Sequence, residues 1–142
     1  MSILRRRFLL ATLSGIVTTL AGRAQAAPDA SRRGFVEQAF AMKQRAVDSG
    51  DQAFGAVVVR GQEIVGFGPS RVVVKRDATA HAEREAIRDA QARLGRTDLA
   101  DCVMYSTSRP CQDCERAAAG ARIARMYVGA EAADAGAPRQ SP

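Results

Sequence analysis

From Gly34 to about Ser49 the apolar residues Phe35, Val36, Ala39, Phe40, Ala46 and Val47 recur at three- and four-residue spacing, and Gly50 ends the pattern. This spacing predicts an amphipathic helix. The polar, proline-bearing stretch 27–33 before it reads as a flexible entry segment. Gly55–Val59 is a continuous apolar run, Arg60-Gly61-Gln62 a turn, and Glu63–Phe67 resumes with β-branched and aromatic residues, the pattern of a hairpin. Gly68-Pro69-Ser70 is expected to break its second strand. Thr79–Leu94, rich in Ala, Glu, Arg and Gln and closed by Gly95, predicts a second helix. Cys102–Ser106 reads as a strand, Cys111 to about Arg122 as a helix starting at Pro110, and Ile123–Gly129 as a further strand. Residues 131–142 lack apolar periodicity and are expected to be a disordered tail. Helix, hairpin, helix, strand, helix, strand is the order of an α/β fold, its last two strands parallel through a crossover helix.

The first 26 residues follow a different logic. Met1–Arg7 is short and positive, Phe8–Gly22 is uncharged, and Ala24-Gln25-Ala26 offers small residues for cleavage, as in a secretory signal peptide. Fifteen uncharged residues fall short of the roughly 18–20 that cross a hydrocarbon core. Arg5-Arg6-Arg7-Phe8-Leu9 resembles a twin-arginine export signal, which implies passage through the membrane only during export of a folded protein to the periplasm.

Cleavage near Ala26 leaves residues 27–142, room for one compact domain, expected over 34–130. The net charge of +6 and 46% hydrophobic residues over 142 positions exclude a disordered or multi-span class. The charge also shrinks on inspection. Residues 1–26 hold four arginines and no acid, so the remainder carries 17 basic against 15 acidic residues, a net of +2. That is a poor electrostatic footprint for a nucleic acid.

His81, the single histidine, stands in Thr79-Ala80-His81-Ala82-Glu83 at the start of a predicted helix. Pro110-Cys111-Gln112-Asp113-Cys114 opens another. Cys111 and Cys114, three apart, share a helix face, and the helix dipole favours their thiolates. Two thiolates and an imidazole suit zinc and leave its fourth position open, where a water is acidified to a pKa near ~7. Glu83, two residues from His81, diverges from it around the helix and suits a proton shuttle better than a fourth ligand.

His81-Ala82-Glu83 followed by Pro110-Cys111-Gln112-Asp113-Cys114 resembles the signature of the zinc-dependent cytidine deaminase-like superfamily. The likeness extends through Ala53–Val57 and Gly66-Phe67-Gly68, and is greatest to the guanine, cytosine and tRNA-adenosine deaminase branch. The resemblance implies a mixed sheet in a three-layer α/β/α arrangement and one Zn2+ per chain held by His81, Cys111 and Cys114. It implies Glu83 as catalytic proton shuttle and Phe54, Ser70 and the Ala82 amide as substrate contacts. It also implies hydrolytic deamination of a free nucleobase, nucleoside or related heterocycle, and a homodimer. Ser70 replaces a usual asparagine, Arg109 a usual glutamate and Ala78 a common proline, and the C-terminal end is expected to be shortened.

Two other readings compete. A Cys111/Cys114 thiol-disulfide pair would leave His81 and Glu83 unexplained. A non-catalytic zinc-containing module would keep the metal and lose the pocket. Cys102, in an apolar strand, reads as core. Arg71, Lys75 and Arg76 form a basic stretch that could meet a phosphate, but a solvated loop is the favoured reading.

Overall fold

A computed structural model describes residues 28–140, so the expected signal peptide lies outside the described residues. The element order is α1 (Pro28–Asp48), β1 (Gly55–Arg60), β2 (Glu63–Pro69), α2 (Val72–Lys75), α3 (Ala82–Leu94), β3 (Cys102–Ser106), α4 (Gln112–Gly120), β4 (Arg125–Val128) and β5 (Ala133–Gly136). The five strands form one mixed sheet in the order β2-β1-β3-β4-β5. β1 pairs antiparallel with β2 and β3, while β3 and β4 are parallel, as their connection through α4 requires.

Both faces of the sheet are covered, which explains why β1 is apolar at every buried position rather than alternating. Val57 and Val59 pack with Tyr105 beneath Ala39 and Met42 of α1. Ala56 and Val58 point the other way, into a cluster with Met104, Cys102 and the α3 residues Ala82, Ala86 and Ala90. The result is the expected three-layer arrangement. α1 buries Ala39, Met42 and Ala46, whereas Val47, assigned to the apolar face from its spacing, is 45% exposed.

Small residues set how closely α3 approaches the sheet. A Cβ on Gly68 would overlap the Ala82 carbonyl oxygen, and one on Gly66 the Ala86 carbonyl oxygen. Glycine in β2 therefore lets the α3 N-terminus lie directly on the strand.

Several boundaries depart from the sequence reading. Of the segment expected as a flexible entry, residues 28–33 belong to α1, which starts at Pro28. Gly68 and Pro69 do not break β2. It is an edge strand, so the missing Pro69 N–H breaks no ladder. α3 begins at Ala82, placing His81 at the N-cap rather than within the first turn. α4 begins at Gln112, two residues after Pro110.

The tail expected over 131–142 contains β5, which pairs antiparallel with β4 through main-chain bonds that need no apolar side chains. Beyond it, the Arg139 N–H and Nε donate to Glu115 Oε1 on α4, both at 3.1 Å. Burial raises the Glu115 carboxyl, but the Arg139 side chain outweighs it and holds that group below its usual range.

Candidate metal centre

Two helix N-termini meet over the ends of β1 and β3. His81 is the N-cap of α3 in an extended conformation, and Cys111 is the N-cap of α4. The Cys111 sulfur accepts from the Cys114 N–H at 3.5 Å, so one side chain both caps α4 and faces the neighbouring thiol. His81 Nδ1 lies 3.6 Å from Cys111 Sγ and 3.4 Å from Cys114 Sγ.

All three donor atoms lie within 4.8 Å of one another. With Zn–N near 2.0–2.1 Å and Zn–S near 2.3 Å, a tetrahedral ion separates a nitrogen from a sulfur ligand by about 3.6 Å. The observed spacings match that edge, and one imidazole with two sulfurs is a zinc donor set. The residues present fit the metal.

Cys114 is 1% exposed, while Cys111 is exposed. Burial, and then the nearby Glu83 carboxylate, push the Cys114 thiol well above its ordinary value among protein groups alone. A metal cation held by these donors would supply the compensation that favours the thiolate. Cys102 is buried away from the site, as its apolar strand predicts. Burial, with a hydrogen bond to Asp101, raises its thiol to about 11.

Glu83 is 5% exposed and accepts at Oε1 from the Ser106 hydroxyl at 2.8 Å, leaving Oε2 as its second acceptor. Ser106 ends β3 and was not singled out from the sequence. Its parity with Cys102 and Met104, however, places it on the α3-facing side of a buried strand, where a hydroxyl needs a partner. A pocket of about 130 Å³ is lined by His81, Glu83 and Cys111 together with Gln52, Phe54, Ser108 and Arg109. Phe54 is 44% exposed at this pocket.

The other two expected contacts lie elsewhere. Ser70 is buried and outside the pocket lining, and its hydroxyl donates to Asp51 Oδ1 at 2.9 Å. The donor of the serine hydroxyl is therefore taken up by Asp51. Ala82 is fully buried, but as the first residue of α3 its N–H has no intrahelical acceptor, and the His81 side chain does not cap it.

Comparison with known proteins agrees with this geometry. Residues 30–130 match the family described as the cytidine and deoxycytidylate deaminase zinc-binding region. The guanine deaminase of Bacillus subtilis is 37% identical over 102 residues, covering 71% of this chain and 65% of that protein. The structure of a Bacillus subtilis guanine deaminase superposes with a TM-score of 0.65 at 36% identity, covering 68% of this chain and 62% of that one. The tRNA-specific adenosine deaminase of Agrobacterium fabrum is 35% identical over 108 residues, covering 76% and 71%. The chain thus spans a little under two thirds of the Bacillus protein. Fold, donor set and sequence agree: this chain belongs to the cytidine and deoxycytidylate deaminase zinc-binding family.

Proposed function

We propose that this chain is a zinc-dependent hydrolytic deaminase acting on a free nucleobase, nucleoside or related aminated heterocycle and releasing ammonia. The observation that carries this reading is the convergence of His81 Nδ1 and two cysteine sulfurs in the same small pocket as the Glu83 carboxylate. Zinc, when bound, makes a water nucleophilic at neutral pH.

The chain's own residues do the rest. His81, Cys111 and Cys114 would hold the ion, and the two helix N-termini would help to offset the thiolate charge. Glu83 Oε2 takes a proton from the attacking water and passes it on, while Ser106 fixes Oε1. The water oxygen bonds to the amine-bearing ring carbon and the carbon–nitrogen bond breaks. The two water protons end on the ring nitrogen and the departing amine, so the products are a carbonyl and ammonia. Phe54 offers a ring face to a planar substrate.

The pocket size favours a base or nucleoside over a polymer, and periplasmic placement after export would separate the protein from cytoplasmic RNA. The test is ammonia release by zinc-loaded protein from guanine, adenine, cytosine, their nucleosides and pterins. Turnover of at least one is expected. Silence across the panel with zinc bound would favour the non-catalytic module, which the commitment of Ser70 to Asp51 motivates. Absence of zinc with an oxidised Cys111–Cys114 pair would favour the redox reading.

A further inference from the structure

A second concavity, of about 410 Å³, opens beside the edge strand β2 and shares no lining residue with the metal pocket. Five cations converge on it: Arg45 from α1, Arg71 at the start of α2, Lys75 from α2, and Arg88 and Arg93 from α3. The acids lining it are Glu85 and Asp89, so the concavity carries a formal excess of three positive charges.

Those two acids position cations more than they neutralise them. Glu85, itself buried, takes Lys75 Nζ on Oε2 at 2.6 Å and Arg88 Nη1 on Oε1 at 2.7 Å, and Asp77, outside the lining, lies 3.8 Å from Arg88 Nη1, so these two cations are held by two carboxylates and the excess charge rests on the other three. Asp89 Oδ2 accepts from Arg93 Nε and from the Phe67 N–H, both at 2.9 Å. The Arg93 guanidinium also lies over the Phe67 ring, 5.1 Å from its centroid. Arg45 and Arg71 have no carboxylate partner among the described residues.

We propose that this concavity is a binding site for the phosphoryl group of a small phosphorylated metabolite, with Arg45 and Arg71 as its free ligands. Like charges gathered around a concave surface repel one another and focus a positive field, an arrangement that an anion relieves. Guanidinium forks match phosphate oxygens two at a time, and three of the surrounding cations are already held in place. The gathering of the cations around one concavity and the net of +2 beyond residue 26 favour a compact ligand over a nucleic-acid strand, which needs an extended basic track. Arg71 and Lys75 belong to the basic stretch that the sequence alone left as solvated loop; Arg76, at the left-handed cap of α2, does not line the site.

The test is calorimetric titration of the full chain with ribose 5-phosphate, inorganic phosphate and ribose. Saturable binding of the two phosphates and none of ribose is expected. The double variant Arg45→Ala, Arg71→Ala is expected to weaken ribose 5-phosphate binding by at least about tenfold. Arg71→Lys, which keeps the charge but loses the fork, is expected to give an intermediate loss and guards against misfolding of the double variant. Arg109→Ala, in the other pocket, is expected to leave the affinity unchanged. The proposal is overturned by an absence of saturable phosphate binding, by undiminished binding in both Arg71 variants, or by loss in Arg109→Ala. Binding of a short single-stranded RNA more than tenfold tighter than ribose 5-phosphate would overturn the small-ligand assignment.

Discussion

The metal donors and the polar cluster around Asp51 use their hydrogen-bonding and ligating atoms in opposite ways. Around His81, Cys111 and Cys114 the imidazole nitrogen meets the two sulfurs only through long, weak contacts of 3.6 and 3.4 Å, which are also the spacing of ligands that share an ion. Around Asp51 every acceptor is occupied. Oδ1 takes the Ser70 hydroxyl at 2.9 Å and the Gln52 N–H at 2.8 Å, while Oδ2 takes the Val73 and Val74 N–H groups at 2.9 and 2.8 Å. One cluster is left with bonding capacity for a ligand; the other has spent its capacity on the short helix α2. Chemistry is to be sought where polar atoms converge without satisfying each other.

The strongest way to break this contrast is to remove a donor. Cys114→Ser is expected to drop bound zinc from about one per chain to near zero and to abolish ammonia release, because a hydroxyl is a poor soft-metal ligand. Elemental analysis of the purified variant checks it. Full zinc retention would mean that the donors merely pack together.

Glu83→Gln separates holding the metal from using it. Zinc content is expected to stay near one per chain, while turnover falls by roughly 10²–10⁴-fold, the usual contribution of a positioned proton-transfer group. Turnover at the wild-type rate would remove Glu83 from the reaction. Ser106→Ala is expected to act in the same direction but less: loss of a hydrogen bond to a charged group costs about 1.5–3 kcal/mol. Because Ser106 positions Glu83, the loss should fall on kcat with KM little changed, and Ser106→Thr should restore most of it. An effect confined to KM would place Ser106 in substrate binding.

The unequal legibility of these groups has a physical basis. His81, Cys111 and Cys114 are readable because a metal cluster draws its ligands from short local motifs at helix starts, and Glu83 is readable because it stands two residues from His81 in the same motif. The sheet core was readable for the same reason, as runs such as Ala56–Val59 report burial on both faces. Ser106 and Glu83 are 23 positions apart, so nothing local announces their contact. Ser70 was assigned to a substrate by resemblance, and only the fold reveals that Asp51, 19 positions away, has claimed its hydroxyl. β5 escaped notice because Ala-Asp-Ala-Gly carries no apolar period; its pairing with β4 is a main-chain property.

The mildest test lies on the satisfied side. Burial opposes ionisation of Asp51, yet hydrogen bonds from the Val74, Gln52 and Val73 N–H groups and from the Ser70 hydroxyl outweigh it and hold the carboxyl below 3.8. A carboxyl lowered by folding contributes stability that is fully present above its unfolded value and is lost as pH falls through its folded value. The wild-type chain should therefore lose part of its thermal stability as pH falls from about 4 towards 2. Asp51→Asn, with one oxygen in place of two, should lower the melting temperature at neutral pH and flatten this component of the acid dependence. Because α2 is short and its residues are largely exposed, zinc content at neutral pH should be unchanged. Melting curves of both proteins at pH 7, 4 and 3, with zinc measured at pH 7, provide the check. Loss of zinc in Asp51→Asn would show that the two clusters are coupled, and the contrast between them would fail.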